Sequence, residues 1–295
     1  MSIYYSPLRY PGGKSRLADY VKLILKDNNL LGCDYIEPYA GGASVALELL
    51  FEEFASQIHI NDLSLPIYSF WYSVLNYTED LCRLIMDTDI TIEVWKTQKI
   101  ILKNEPDDLL KLGFATFFLN RTNRSGILKA GAIGGKHQSG KWKLDARFNK
   151  ENLIDRIQKI GRFRSRISLY NQDAEILLSG IEKICPDSKL FTYLDPPYYV
   201  KGQGLYDNFY EHEDHKSVAK TVDKLNYPWI VSYDYHPSIK KFYKKHPYII
   251  YKLGYSVQKK YKGSEIFFFS DQLNVPDIET PLHVPADRIL SFPNS

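Results

Sequence analysis

Cysteine is scarce in this chain. Three occur in 295 residues, an odd number. Cys33, Cys82 and Cys185 lie far apart and form neither a disulfide framework nor a metal-ligand pattern. That usage suits a reducing compartment. Long apolar runs are missing too. Met1 to Lys14 lack the apolar stretch of a secretory leader. The longest uncharged window, Leu63 to Thr78, is too short for a bilayer and carries Pro66, Ser69, Ser73 and Asn76. These absences exclude a disulfide-stapled secreted scaffold and a membrane-spanning protein, and they point to the cytoplasm. No internal repeat or low-complexity tract interrupts the chain.

What is present fits a soluble globular protein of one large domain or two ordinary ones, with 44% hydrophobic and 25% charged residues. The 23 tyrosines supply rings that pack while their hydroxyls face wet sites. The net charge of +3 conceals an asymmetry. Arg121 to Arg166 hold 13 Lys/Arg against 3 Asp/Glu, a net +10, so the remainder carries −7. A basic segment on an otherwise acidic chain suits a polyanionic partner.

Tyr193-Leu194-Asp195-Pro196-Pro197-Tyr198 places an acid at the end of an apolar, β-rich run. Two prolines cannot continue a ladder, so a strand reaching Asp195 stops there. In open α/β sheets that carboxyl edge is where ligands bind. Near the start, Pro11-Gly12-Gly13-Lys14-Ser15 is no P-loop, because position 8 is Leu8 and no strand precedes it. It reads as a turn opening a helix from Lys14 to Lys26, where backbone N–H groups and Lys14 can meet an anion. Asp34 to Ser44 reads as a strand, a Gly-rich turn at Gly41-Gly42, and a helix start from Val45. Its adjacent glycines and Pro38 depart from the dinucleotide fingerprint. A second strand ends at Asn61-Asp62. An acid about 20 residues beyond a Gly turn commonly accepts ribose hydroxyls, although Asp62 also suits capping the helix from Leu65 to Leu75.

The rhythm changes over 76–165. Helices are expected at Ile92 to Leu102, Asp107 to Leu119 and Asn149 to Arg162, around a polar, Gly-rich, basic stretch containing Asn120, Arg121, Asn123, Arg124 and Lys141. Arg and Asn can read base edges while Lys and Arg grip phosphates. Strands then return at Arg166 to Asn171, Leu190 to Asp195, Trp229 to Tyr233, Tyr248 to Leu253 and Ile266 to Ser270, with a helix at Glu213 to Leu225. That makes seven strands. The short link between the last two favours an antiparallel hairpin and carries Lys259 and Lys260, placed to track a phosphate backbone.

Together these motifs, in this order, resemble the adenine-specific DNA methyltransferases of the Dam type, the D12 class. The matching pieces are Leu8 to Lys14, Ile36 to Leu47, Ile58 to Val74, Phe117 to Ile127, Tyr193 to Tyr198 and Gly263 to Phe269. The resemblance implies a Rossmann-like, S-adenosylmethionine-dependent methyltransferase fold, α/β. It has seven strands with helices on both faces, the last strand antiparallel, and a mostly helical target-recognition insertion. Residues 1–75 and 166–295 would form the catalytic domain and 76–165 the insertion.

The implied activity is methyl transfer to N6 of an adenine flipped out of double-stranded DNA. Asp195, the Pro196 carbonyl and Tyr198 would be catalytic. S-adenosylmethionine would be held by Tyr10, Lys14, Glu37, Ala40, Gly42, Asp62, Asp173 and Asp195, and DNA by Asn120, Arg121, Asn123, Arg124, Lys141, Lys259 and Lys260. No metal is required. A cognate restriction endonuclease is a partner the resemblance allows. Cytosine-N4 methylation uses the same acceptor geometry, and a non-catalytic DNA-binding regulator could keep the fold.

Overall fold

The computed structural model describes residues 4–9, 15–199, 210–252 and 264–290. Tyr10, Lys14, Lys259 and Lys260 lie outside these residues, as does most of the loop that joins the last two strands. A single 3-10 turn, Ser15–Leu17, leads into α1 (Ala18–Asp27), followed by β1 (Cys33–Glu37), α2 (Ser44–Phe51), β2 (Ala55–Asn61) and α3 (Leu65–Asn76). Four helices follow: α4 (Thr78–Asp87), α5 (Ile92–Asn104), α6 (Leu109–Thr122) and α7 (Lys150–Arg162). The chain then returns to the sheet through β3 (Ile167–Tyr170), α8 (Ala174–Ile184), β4 (Leu190–Leu194), α9 (His212–Val222), β5 (Trp229–Asp234), α10 (Pro237–Phe242), β6 (Tyr248–Lys252), β7 (Ser264–Phe269) and α11 (Ala286–Leu290).

All seven strands expected from the sequence form one sheet, in the order β3-β2-β1-β4-β5-β7-β6. β3, β2, β1, β4 and β5 are parallel, and β7 runs antiparallel to both β5 and β6. Strand alternation sorts the side chains onto two covered faces. Phe267 and Phe269 join a core with α1, α2 and α3, whereas Ile266 and Phe268 join one with α9 and α10. The sheet is therefore apolar on both sides, and the parallel strands leave their carboxyl ends on a common edge.

Helix limits follow local chemistry. Thr91, Asp108 and Asn149 each accept the N–H three residues on, capping α5, α6 and α7. Asn149 is thus a cap rather than the first helical residue. α4, α8, α10 and α11 were not anticipated from the sequence. The helices of the insertion share the larger core, where Phe70 of α3 stacks on Phe117 of α6. The longest stretch of the insertion without regular helix is 123–149, between α6 and α7, which holds a 3-10 turn at Arg124–Gly126. No helix among the described residues is long and apolar enough to cross a membrane.

Candidate active site

β4 delivers Asp195. Its five residues are all buried, and pairing with β1 on one side and β5 on the other fixes where it ends. Asp195 emerges half-buried at that end, and the hydroxyl of Ser232 in β5 donates to its Oδ1 at 2.6 Å. The Tyr193 hydroxyl lies 3.0 Å from the same Ser232 oxygen. Beyond the prolines, the N–H of Tyr199 donates to Asp234 Oδ1 at 3.0 Å. β5 thereby holds the Pro196-Pro197 turn at both ends. Pro196 is itself buried.

Tyr198 is 8% exposed, and its hydroxyl donates to Glu265 Oε1 of β7 at 2.6 Å. Tyr251 of β6 also donates to Glu265. The ring expected to stack on a base is therefore largely enclosed as the protein stands.

Beside Asp195, β1 ends in Glu37, which is buried and accepts the Ala46 N–H at 3.2 Å. Burial pushes its carboxyl well above the usual carboxylate range, the Ala46 N–H opposes this, and the nearby Asp195 charge adds to it. The turn that follows is tightly braced. Gly41 and Ala43 both adopt left-handed backbone, φ 46° in each, a strained choice for Ala43. Gly41 donates its N–H to Asp62 Oδ2 at 2.9 Å, and its carbonyl accepts from Trp71 Nε1 at 2.9 Å. Asn61 donates to the carbonyls of Pro38 and Gln172. Ala40 and Gly42 are buried within this turn.

Asp62 is half-buried, with its other oxygen accepting the N–H of Ser64 at 2.9 Å. Burial raises it to about 6 against the pull of those two N–H groups. It does not cap α3; Ser64 occupies that position, and Asp62 stands two residues ahead as the link between β2 and the glycine turn. Asp173 does cap a helix, accepting the Glu175 N–H at the start of α8. Glu37, Asp62, Asp173 and Asp195 thus stand at the carboxyl ends of neighbouring strands or just beyond them.

The insertion residues divide. Asn120 is 1% exposed; it accepts the Arg9 N–H at 2.7 Å and donates to the carbonyls of Arg9 and Gly126. Asn123, also buried, accepts from Trp95 Nε1 and donates to the carbonyls of Ile127 and Leu128. The oxygen and the NH2 group of both amides are engaged within the fold. They brace the N-terminal segment against α6. The approach is close: a Cβ on Gly126, at φ +75°, would lie 2.4 Å from the Arg9 carbonyl.

Arg121 donates to the carbonyls of Arg147 and Pro7, and Arg156 to that of Ser6. Arg121 is held down to about 9, first by burial and then by Arg9, Arg156 and Arg147. No ion pair joins these four guanidiniums to a carboxylate among the described residues. Arg124 and Lys141 are exposed, with the Lys141 ammonium 5.7 Å from the ring centre of Trp142. Sequence reasoning missed Ser232, Glu265 and Trp71. A serine inside the apolar run of β5 was the available signal for Ser232.

The pattern of the family described as D12 class N6 adenine-specific DNA methyltransferase matches residues 10–257. The chain is 25% identical over 207 residues to the Type II methyltransferase M.MjaIII of Methanocaldococcus jannaschii, across 65% of this chain and 68% of that protein. In shape it overlaps the rRNA methyltransferase aviRa from Streptomyces viridochromogenes with a TM-score of 0.38 and 9% identity, over 89% of this chain and 87% of that one. That superposition is too loose to carry an argument.

Proposed function

The chain belongs to the D12 class of N6 adenine-specific DNA methyltransferases, and from that premise we propose how its residues divide the work of methylating adenine N6 in DNA. The observation that carries the reading is Asp195, stopped at the carboxyl end of β4 with one oxygen held by Ser232. Adenine N6 is a poor nucleophile because its lone pair is delocalised into the ring. Asp195 and the Pro196 carbonyl accept its two N–H groups and draw the nitrogen toward a pyramidal geometry. The lone pair is thereby localised, and the positive charge that develops on N6 meets a fixed carboxylate. Tyr198 stacks on the base once its ring is uncovered, a contact worth ~1–3 kcal/mol that offsets part of the cost of base extrusion.

The donor set at the carboxyl edge fits S-adenosylmethionine, being acidic with a strained backbone turn between the acids. When bound, that cofactor supplies an electrophilic methyl group on a sulfonium. The Ala40 to Gly42 turn would receive its methionine part, and Asp62 would accept the ribose hydroxyls. Asp173 would face the adenine amine, with Tyr10 and Lys14 completing the contacts. Glu37 would meet the ammonium; a cation there draws a buried carboxyl back to its charged form.

Residues 76–165 serve in this reading as the target-recognition insertion. Arg121 works with Arg9, Arg147 and Arg156 on phosphates, and Arg124, Lys141, Lys259 and Lys260 supply further phosphate contacts in this reading. A cognate restriction endonuclease and a cytoplasmic location belong to the same proposal.

The test incubates the protein with a methyl-labelled donor and duplex DNA and digests the product to nucleosides. Label is expected in N6-methyladenine. Asp195→Ala should lose transfer, and near-normal turnover by that variant overturns the role of Asp195. DNA binding without transfer by the unaltered protein would favour the regulator.

A further inference from the structure

On the sheet face covered by α8, away from the carboxyl edge, three side chains from distant parts of the chain converge. Asp34 lies at the start of β1, His59 is in β2, and Cys185 directly follows α8. One donor atom of each lies within 4.8 Å of the other two. Cys185 Sγ is 3.5 Å from Nε2 of His59, and Asp34 Oδ2 is 3.8 Å from that same nitrogen. Each residue is at most 9% exposed.

The opposite atoms are tied to the surroundings. The Tyr170 hydroxyl meets His59 Nδ1 at 3.0 Å, with the two rings stacked. The Ser56 hydroxyl donates to Asp34 Oδ1 at 3.2 Å. His59 and Asp34 are thus oriented from behind, with the remaining donor of each on the side of the Cys185 thiol. Orientation of this kind, with a partner on the far ring nitrogen, characterises metal-bound histidine.

Hydrogen bonding serves this convergence poorly. A ring nitrogen has one in-plane position, and two groups face it. The carboxylate lies 3.8 Å from that nitrogen, beyond a hydrogen bond, while Ser56 holds its other oxygen. A divalent cation satisfies all three donors, because thiolate and carboxylate together balance its charge. Bonds of ~2.0–2.3 Å at tetrahedral angles put adjacent donors roughly 3.3–3.6 Å apart. The Cys185–His59 and His59–Asp34 separations lie within a few tenths of an ångström of that, and Asp34 and Cys185 lie within 4.8 Å of each other.

We propose that Asp34, His59 and Cys185 form a binding site for a divalent, thiophilic cation of the zinc class, with a water completing the tetrahedron. Magnesium and calcium prefer all-oxygen shells and are disfavoured. On binding, the metal–sulfur bond replaces the thiol S–H and the proton passes to solvent. The ion fastens the end of α8 to β1 and β2, so its role is structural. Nothing in this depends on the methyl-transfer reading.

The experiment strips the whole chain with a chelator and titrates it with Co2+ alone, then with Zn2+ alone. One Co2+ per chain is expected, with a near-ultraviolet sulfur-to-cobalt band and intense visible bands of tetrahedral cobalt, all removed by Zn2+. Cys185→Ser should abolish the sulfur band, and Cys82→Ser should leave it intact. Tyr170→Phe keeps the ligands and should weaken binding ~10- to 100-fold; this arm decides the matter if Cys185→Ser fails to fold. The proposal is overturned by absence of stoichiometric binding, by a sulfur band that survives in Cys185→Ser, or by unchanged affinity in Tyr170→Phe.

Discussion

Replacing Asn120 with alanine separates a buried brace from a DNA contact. The amide makes three hydrogen bonds, of 2.7, 2.8 and 2.9 Å, and is 1% exposed. Asn120→Ala removes all three at once and leaves the Arg9 N–H and the carbonyls of Arg9 and Gly126 without these partners. At ~0.5–1.5 kcal/mol net per bond, the loss is about 2–4 kcal/mol. For a chain of this size each kcal/mol moves the midpoint by roughly 2–4 °C, so melting should fall by about 4 °C or more. Asn120→Asp should fare no better, because a carboxylate faces two carbonyls where the amide donated. Thermal and urea unfolding measure the stability. DNA titrations across salt concentrations, run where the variant is folded, measure the slope of affinity against salt. Reduced stability with an unchanged slope is expected. Unaltered melting together with a shallower slope would refute the reasoning, because the amide would then be meeting DNA.

Ser232→Ala should leave donor binding intact while lowering kcat roughly 10- to 100-fold, the cost of losing a hydrogen bond to a charged acceptor; single-turnover kinetics would show it, and an unchanged kcat would remove Ser232 from the positioning of Asp195. Asp62, raised to about 6 in the folded chain, should make donor affinity rise as pH increases through that value, read by calorimetry, with Asp62→Asn flat. The linked stability change has the opposite sign. Between the ordinary carboxylate value and about 6 the folded chain binds more protons than the unfolded one, so this contribution is fully present at lower pH and is lost as pH rises through that window. Arg121→Ala with Arg156→Ala should weaken DNA binding and flatten its salt dependence, and an unchanged slope would take both off the phosphates.

The strands were legible as short β-rich runs, and β4 most plainly because Pro196 closes it. Their order was only partly so. The antiparallel hairpin was readable from its short link, but insertion of β7 between β5 and β6 is set by which faces the phenylalanines cover. Asp195 and the glycine turn stood out because their sequence neighbours betray their geometry. The packing of Asn120 and Asn123 was not legible, since an amide among basic residues looks alike whether it faces a base or the interior of the fold. Asp34, His59 and Cys185 carry no spacing that would unite them; only the crossover connections bring them together.

The placement of β7 has a consequence for biosynthesis. β5 lies inside the sheet, yet the strand that covers its outer flank, β7, follows β6 in the chain. Until residues 264–269 leave the ribosome, that flank is a row of unmet amides and carbonyls, open to any passing extended chain. A stalled or truncated product lacking this segment would be sticky, and pairing of β7 with β5 and β6 closes that window.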